Sequence, residues 1–397
     1  MTSLIVMGGR LVTPLEERCT SIWIDGQLIE RLADGQPAGD AGCTVLDARG
    51  CVVTPGLFDL QVNGGPEGNL WGDPTATELS ALRRAMAAAG VTAFLPTLIT
   101  ADTAHLRKNI GFLSRQGVAA DRALLRALAA GGPGALTAVG QTVARADGQA
   151  RMPGIHLEGP FLSPARPGVH PPEWIKPLSA AAVEALITDD VALMTLAPEQ
   201  EPDGEAVRLL IARGVRVSLG HSNADFQTAR RAFDQGATLM THTFNALPPL
   251  HHRAPGAVAA ALIDPQVSCC LIPDGLHVDP AVIELVIKLK GAARTILVTD
   301  RAQIGTSQGG LVGSSMSLDQ AVRNMVSWGA ATFAQAIRMA TWNPAAALGL
   351  ERSIGHLAAG KLADLVIWDE QSLSIKQVIL GGRPVWAQDR CRPGEHR

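Results

Sequence analysis

The sequence predicts an α/β fold, a (β/α)8 barrel of the TIM type joined to a small β-sandwich domain built from both chain ends. Three observations carry this. Eight short apolar runs recur through the centre, most of them followed by a stretch with helical spacing. Both ends of the chain read instead as short strands and tight turns. Polar residues able to do chemistry stand at the ends of the central runs, where a barrel would gather them on one face.

The elements follow in order. Ser21–Ile29 alternates around an Asp25-Gly26 turn, and Thr44–Gly56 continues in short apolar stretches. Gly360–Trp368 and Ile375–Trp386 have the same texture near the other end. Neither end can bury a core alone, so residues 1–55 and 359–397 are expected to pair into one small domain beside a barrel of residues 56–358. The central runs are Leu57–Val62, Thr92–Thr97, Gly154–Glu158, Ala192–Ala197, Arg216–His221, Thr238–Thr243, Ser268–Pro273 and Ile296–Asp300. Between them, Thr77–Ala89, Glu205–Arg213, Ala224–Gln235 and Ala281–Lys290 place apolar residues three and four apart. Near-continuous apolar strands alternating with helices indicate a parallel sheet covered on both faces. A doubly wound open sheet is the rival, weakened because no G-x-G-x-x-G follows the first strand.

Composition narrows the function. Hydrophobic residues make up 47% of the 397 and charged residues 18%, the balance of a compact globule. The net charge is -3 with no long basic run, which argues against nucleic acid as a partner. No apolar run is long enough to span a bilayer, and the first residues do not read as a signal peptide, so no membrane partner and a cytoplasmic location are expected. Six scattered cysteines form no C-x-x-C pair, and Cys269-Cys270 reads as buried core.

Glu158, His221 and His242 each end a strand. Two imidazoles and a carboxylate, with water in the fourth position, make an open catalytic zinc site. Single readings are weaker: a lone histidine is often plain core, and a strand-end carboxylate often a helix cap. Three such strand ends together favour one divalent metal per chain, expected to be Zn2+. His156 shares the strand face of Glu158 and reads either as a group orienting a ligand or as packing. Asp300, ending the eighth strand, faces the metal as general base and then as acid for the leaving amine. His251, His252 and Arg253 form a cationic cluster near the barrel mouth, suited to phosphate.

Local words make the resemblance specific. Pro55–Gly64, Leu95–Thr100, His156–Leu162, Gly220–Ala224, Thr241–Arg253 and Asp274–Asp279 are similar to those of the N-acetylglucosamine-6-phosphate deacetylase family of amidohydrolases. The resemblance implies metal-dependent hydrolysis of N-acetyl-D-glucosamine 6-phosphate to D-glucosamine 6-phosphate and acetate. It implies that Glu158, His221 and His242 bind the metal and that Asp300 shuttles the proton. Val169, Asn245, Ala246, Arg253 and His277 would contact the sugar phosphate, with Leu311, Val312 and Gly313 in a loop lining the sugar. His170 would help polarise the amide carbonyl. It further implies a homodimer in which Arg253 reaches the neighbouring site. Gln61 and Asn63 stand where many amidohydrolases carry a His-x-His metal pair, and no lysine ends the fourth strand, so a single metal is favoured and the two amides are assigned to the substrate. The segment from Arg301 to Val312 is shorter than the family's usual excursion, and Arg301 replaces a usually small residue. Other readings are an amidohydrolase for another acylated amino sugar or a cyclic amide, and a non-catalytic assembly protein on the same barrel.

Overall fold

A computed structural model describes residues 4–34, 43–131, 148–303 and 311–387. The last residues of the expected end domain, 388–397 with Cys391, lie outside the described residues, as do residues 304–310 of the short segment after Asp300.

The chain opens with β1 (Leu4–Val12), β2 (Glu17–Asp25), β3 (Leu28–Ala33), β4 (Thr44–Asp47) and β5 (Cys51–Pro55). The barrel strands are β6 (Leu57–Val62), followed by a hairpin of β7 (Gly64–Gly65) and β8 (Gly68–Asn69), then β9 (Val91–Ile99), β10 (Ile155–Glu158), β11 (Val191–Leu196), β12 (Arg216–Leu219), β13 (Leu239–Met240), β14 (Ser268–Leu271) and β15 (Thr295–Leu297). β16 (Leu365–Asp369), β17 (Ile375–Leu380) and β18 (Arg383–Ala387) return to the first sheet. Each of the eight expected apolar runs overlaps one barrel strand.

The barrel strands pair in the order β15-β14-β13-β12-β11-β10-β9-β6, parallel throughout. β9 and β11 are buried along their whole length, as strands covered on both faces must be. Between the outermost strands the ladder is thin. A single parallel bridge joins Val62 to Arg301, with the Asn63 amide donating to the Arg301 carbonyl at 2.7 Å. Side chains complete the seam: Thr299 donates its hydroxyl to Asp59 at 2.6 Å, and Asp59 also accepts from the Thr299 and Gln61 amides.

Helix starts follow local chemistry. Thr75 with Glu78, and Thr332 with Gln335, form capping boxes, while Asp102, Asp225 and Asp279 cap their helices with side-chain oxygens. Each satisfies a first-turn amide that would otherwise lack a partner.

Both chain ends meet in one hydrogen-bonded sheet of eight strands, in the order β18-β17-β16-β5-β1-β2-β3 with β4 beside β1. β1 shifts register between Val6 and Gly9, pairing with β4 before the break and with β5 after it. This sheet has its own apolar core, including Leu11, Ile24, Val53 and Leu365, separate from the larger core around the barrel. Gly56 carries the chain from β5 into β6, and a Cβ there would lie 2.0 Å from the Thr92 hydroxyl. Only glycine permits that approach. Among the described residues, no helix is long and apolar enough to cross a membrane.

Candidate metal centre and active site

Glu158 is the last residue of β10, and His221 and His242 lie two residues beyond β12 and β13. Their ligand atoms all lie within 4.8 Å of one another. The His242 Nε2–Glu158 Oε1 distance is 2.9 Å, His221 Nε2–Glu158 Oε1 is 3.3 Å, and the two Nε2 atoms are 3.1 Å apart. All three residues are buried.

Surrounding atoms orient the ligands. His221 places Nδ1 at 3.1 Å from the Arg166 carbonyl, which can only accept, so that nitrogen carries the proton and Nε2 turns a lone pair inward. Gly168, at φ 59°, passes close behind: a Cβ there would sit 2.9 Å from His221 Cε1. Glu199 accepts from the Ser222 hydroxyl at 2.7 Å and the Asn223 amide at 2.6 Å, fixing the turn after His221. The end of the fourth strand thus supports the ligand loop and carries no bridging lysine. Burial acts to raise the Glu158 carboxyl, but the facing imidazoles of His221 and His242 outweigh it and hold it well below the usual carboxylate range. Two imidazole nitrogens and a carboxylate oxygen converging this closely, with the His221 Nε2 lone pair turned inward, fit a divalent cation.

Gln61 and Asn63 point at this centre from β6, which sequence reasoning did not resolve. Gln61 donates to Glu158 Oε1 at 2.9 Å and is absent from the cavity wall, so its amide is spent on the carboxylate and not on a substrate. Asn63 lines the cavity and donates to Asp300 Oδ1 at 2.7 Å. Burial, reinforced by the Glu158 charge, pushes the Asp300 carboxyl up to about 7, against the opposing effects of His242 and the Asn63 hydrogen bond. His156 makes no hydrogen bond to the ligand side chains. It bridges the Thr195 hydroxyl at 2.8 Å and the Leu60 carbonyl at 3.1 Å beneath them, the packing alternative.

The cavity above the centre holds ≈ 430 Å³. Val169, His170, Asn245, Ala246, His277, Leu311 and Gly313 line it together with Asp300 and the three ligands. Val312 is buried and does not line it. Arg253 lies exposed on its loop, also outside the cavity of its own chain. His277 is fixed by a 2.6 Å contact from Nδ1 to Asp274, leaving its other nitrogen for a ligand.

His170 is set for donation. Burial pushes its imidazole down to about 3, so it is neutral. The Thr100 amide donates to its Nδ1 at 3.2 Å, which places the ring proton on Nε2. That Nε2 is buried without a hydrogen-bond partner, 3.7 Å from Glu158.

Two polar wall residues escaped the sequence. Trp71 lines the cavity with its indole N–H buried and unpartnered. It follows the β7–β8 hairpin, with no periodic or motif signal. Arg166 lines it from the Arg166–His170 word, where its charge was the available signal. Backbone strain also marks the mouth. Of the six non-glycine residues with positive φ among those described, His221, His242, Phe244, Ala246 and Asp300 surround this site. Such backbone costs roughly 1–3 kcal/mol per residue and persists where packing enforces it.

Comparison with known proteins finds relatives along nearly the whole chain. The model of the Amidohydrolase family matches residues 52–385. The N-acetylgalactosamine-6-phosphate deacetylase of Escherichia coli O157:H7 is 34% identical, over 91% of this chain and 95% of that protein. The N-acetylglucosamine-6-phosphate deacetylase of Bos taurus is 30% identical, over 98% and 93%. Among solved structures, a mutant N-acetyl-D-glucosamine-6-phosphate deacetylase from Mycobacterium smegmatis, in complex with N-acetyl-D-glucosamine-6-phosphate, superposes with a TM-score of 0.81 at 27% identity, over 97% of this chain and 100% of that one.

Proposed function

The chain belongs to the amidohydrolase family, and from that premise we propose that it hydrolyses N-acetyl-D-glucosamine 6-phosphate to D-glucosamine 6-phosphate and acetate, in amino-sugar catabolism. The observation that carries this reading is the meeting, in one cavity, of the Glu158–His221–His242 donor set with Asp300 and a proton-bearing His170 Nε2.

Glu158, His221 and His242 would hold one divalent metal, zinc by the chemistry of two imidazoles and a carboxylate. When bound, it supplies Lewis acidity, which acidifies water and polarises the acetyl carbonyl. Asp300 takes a proton from the attacking water. Asn63 fixes one of its oxygens, leaving the other for that proton. As the C–N bond breaks, Asp300 returns the proton to the departing amine, so the carboxylate is regenerated. His170 donates through Nε2 to the oxygen on which negative charge develops. His277, Asn245 and the Trp71 indole line the sugar's place and supply polar contacts to its hydroxyls.

Arg253 serves the phosphate from a partner subunit of a homodimer. Its exposed position outside its own cavity supports that role, and the planar guanidinium fork suits phosphate oxygens. A cytoplasmic location goes with this reading, because a charged sugar phosphate does not cross hydrocarbon unaided.

The galactosamine epimer is the second reading, favoured by the Escherichia coli relative. Acetate release from both N-acetylhexosamine 6-phosphates, with and without chelator, tests the proposal. Chelator-sensitive release, faster with the glucosamine substrate, is expected. Faster release with the galactosamine substrate transfers the function to that epimer, and no release from either refutes deacetylation. Purified enzyme should contain about one metal per chain by elemental analysis, the ligand count of a single open site; two tightly held ions would overturn the mononuclear assignment.

A further inference from the structure

A second cavity, of ≈ 380 Å³, opens at the other end of the same strands. Arg216 begins β12, Thr238 precedes β13, Ser268 begins β14 and Arg294 precedes β15, and all four line it. Three of these strands lead to His221, His242 and Asp300 at their far ends. This cavity therefore lies across the barrel from the metal centre, separated by five or six residues of extended chain, roughly 15–20 Å.

Its wall is built for an anion. Arg216, Arg294 and Arg338 converge on it, and the lining contains no carboxylate. None of the three pairs with a carboxylate among the described residues. Two are held by neutral groups instead. Arg294 donates to the Gln266 side-chain oxygen at 3.2 Å, and Arg338 donates through Nε to Asn343 Oδ1 at 3.3 Å. Asn343 is buried and fixed in turn, donating to the carbonyls of Ala292 and Thr295 at 2.6 and 2.7 Å, so its oxygen must face Arg338. Carboxamide partners orient a guanidinium without cancelling its charge. Three cations without a carboxylate partner, two of them oriented, share one recess of a chain with net charge -3, and their mutual repulsion favours entry of an anion.

We propose that this cavity is a second binding site, distinct from the metal centre, for a phosphate-bearing small molecule. Guanidinium forks match phosphate oxygens bidentately, and Trp342 on the wall offers an apolar face to the rest of the ligand. The volume suits a metabolite, within the range of about 300–1,000 Å³ for small-molecule sites.

Equilibrium dialysis of the metal-loaded enzyme against radiolabelled inorganic phosphate tests this, because it counts sites apart from activity. The wild type should show a binding component that persists in Arg253→Ala. The same component should weaken by about tenfold or more in Arg216→Gln/Arg294→Gln, the scale of two lost charge-assisted hydrogen bonds. Arg216→Glu, at an exposed strand start, should abolish it without disturbing the fold. Deacetylation kinetics in phosphate-free buffer should be unchanged in the Arg216→Gln/Arg294→Gln and Arg216→Glu variants. Binding curves that superimpose on the wild type in both arginine variants overturn the proposal, as does a component lost only in Arg253→Ala.

Discussion

Two groups of buried charges lie in this molecule and differ in kind. At the barrel mouth, Glu158, His221, His242 and Asp300 face a cavity, with imidazole nitrogens 3.1 Å apart and a second carboxylate nearby. At the junction with the end sheet, Arg151 reaches Asp364 at 3.2 Å, while Asp121 lies 3.8 Å from Arg83. There, opposite signs alternate and backbone groups fill in: Asp121 accepts the Met152 amide, Asp364 the Gly381 amide, and Arg83 donates to the carbonyls of Ala150 and Gln116. Each of the junction's charges lies beside one of opposite sign, so the junction joins the barrel to the end sheet. Those at the mouth are incompletely answered, and held by strained backbone, which leaves them free for a metal and a reaction. Burial alone does not mark an active site; burial with an unmatched donor set facing a cavity does.

The sharpest way to break this comparison is to remove one charge from each group. Asp300→Asn should keep its fold and its metal while turnover falls by roughly 10²–10⁴, the contribution of a positioned acid–base group. Steady-state kinetics with a thermal melt check this, and near-normal turnover would remove Asp300 from the chemistry. Asp364→Ala should do the reverse. Stranding the buried Arg151 guanidinium should cost about 3–5 kcal/mol of stability, with kcat of the folded fraction little changed. A denaturant titration beside an activity assay separates the two, and a variant as stable as the wild type would mean the junction pair contributes nothing.

A smaller effect tests the edge of the site. Arg253→Ala should lose about 1.5–3 kcal/mol in binding the 6-phosphate substrate, seen in KM, and almost nothing for unphosphorylated N-acetylglucosamine. Mixing Asp300→Asn chains with Arg253→Ala chains should restore activity at low substrate, because one site of the heterodimer then has both groups. Exchange of subunits without recovery would place Arg253 in its own site or in none.

The smallest effect is a shift in pH. Asp300 must be ionised to accept a proton, and burial pushes its carboxyl up to about 7. A bound cation favours the charged form, so kcat/KM should fall as pH drops through about 7 or somewhat below. The Asn63 hydrogen bond favours ionisation, so Asn63→Ala should move this acid limb to higher pH. An unmoved or lowered limb would show that Asn63 does not set the base.

Much of this was legible in the sequence because it is local. Apolar runs bounded by turns gave the barrel strands, and strand ends gave Glu158, His221, His242 and Asp300. A parallel barrel turns position along a strand into position in space, so chain order alone brought these four together. Tertiary structure decided what depends on partners far apart in the chain. Asn63 and Asp300 are 237 residues apart, and Gln61 and Glu158 are 97 apart. No pattern within either segment shows that these amides serve carboxylates. The His170 tautomer depends on an amide 70 residues away, and Trp71 reaches the cavity through a hairpin without periodicity. Val312 turns into the core although its neighbours line the sugar's place. The sequence determined which side chains stand at strand ends, because strand period and turn chemistry are properties of neighbouring residues. The fold alone decided which atom of each side chain is already spent, because a hydrogen bond is settled by distance in space.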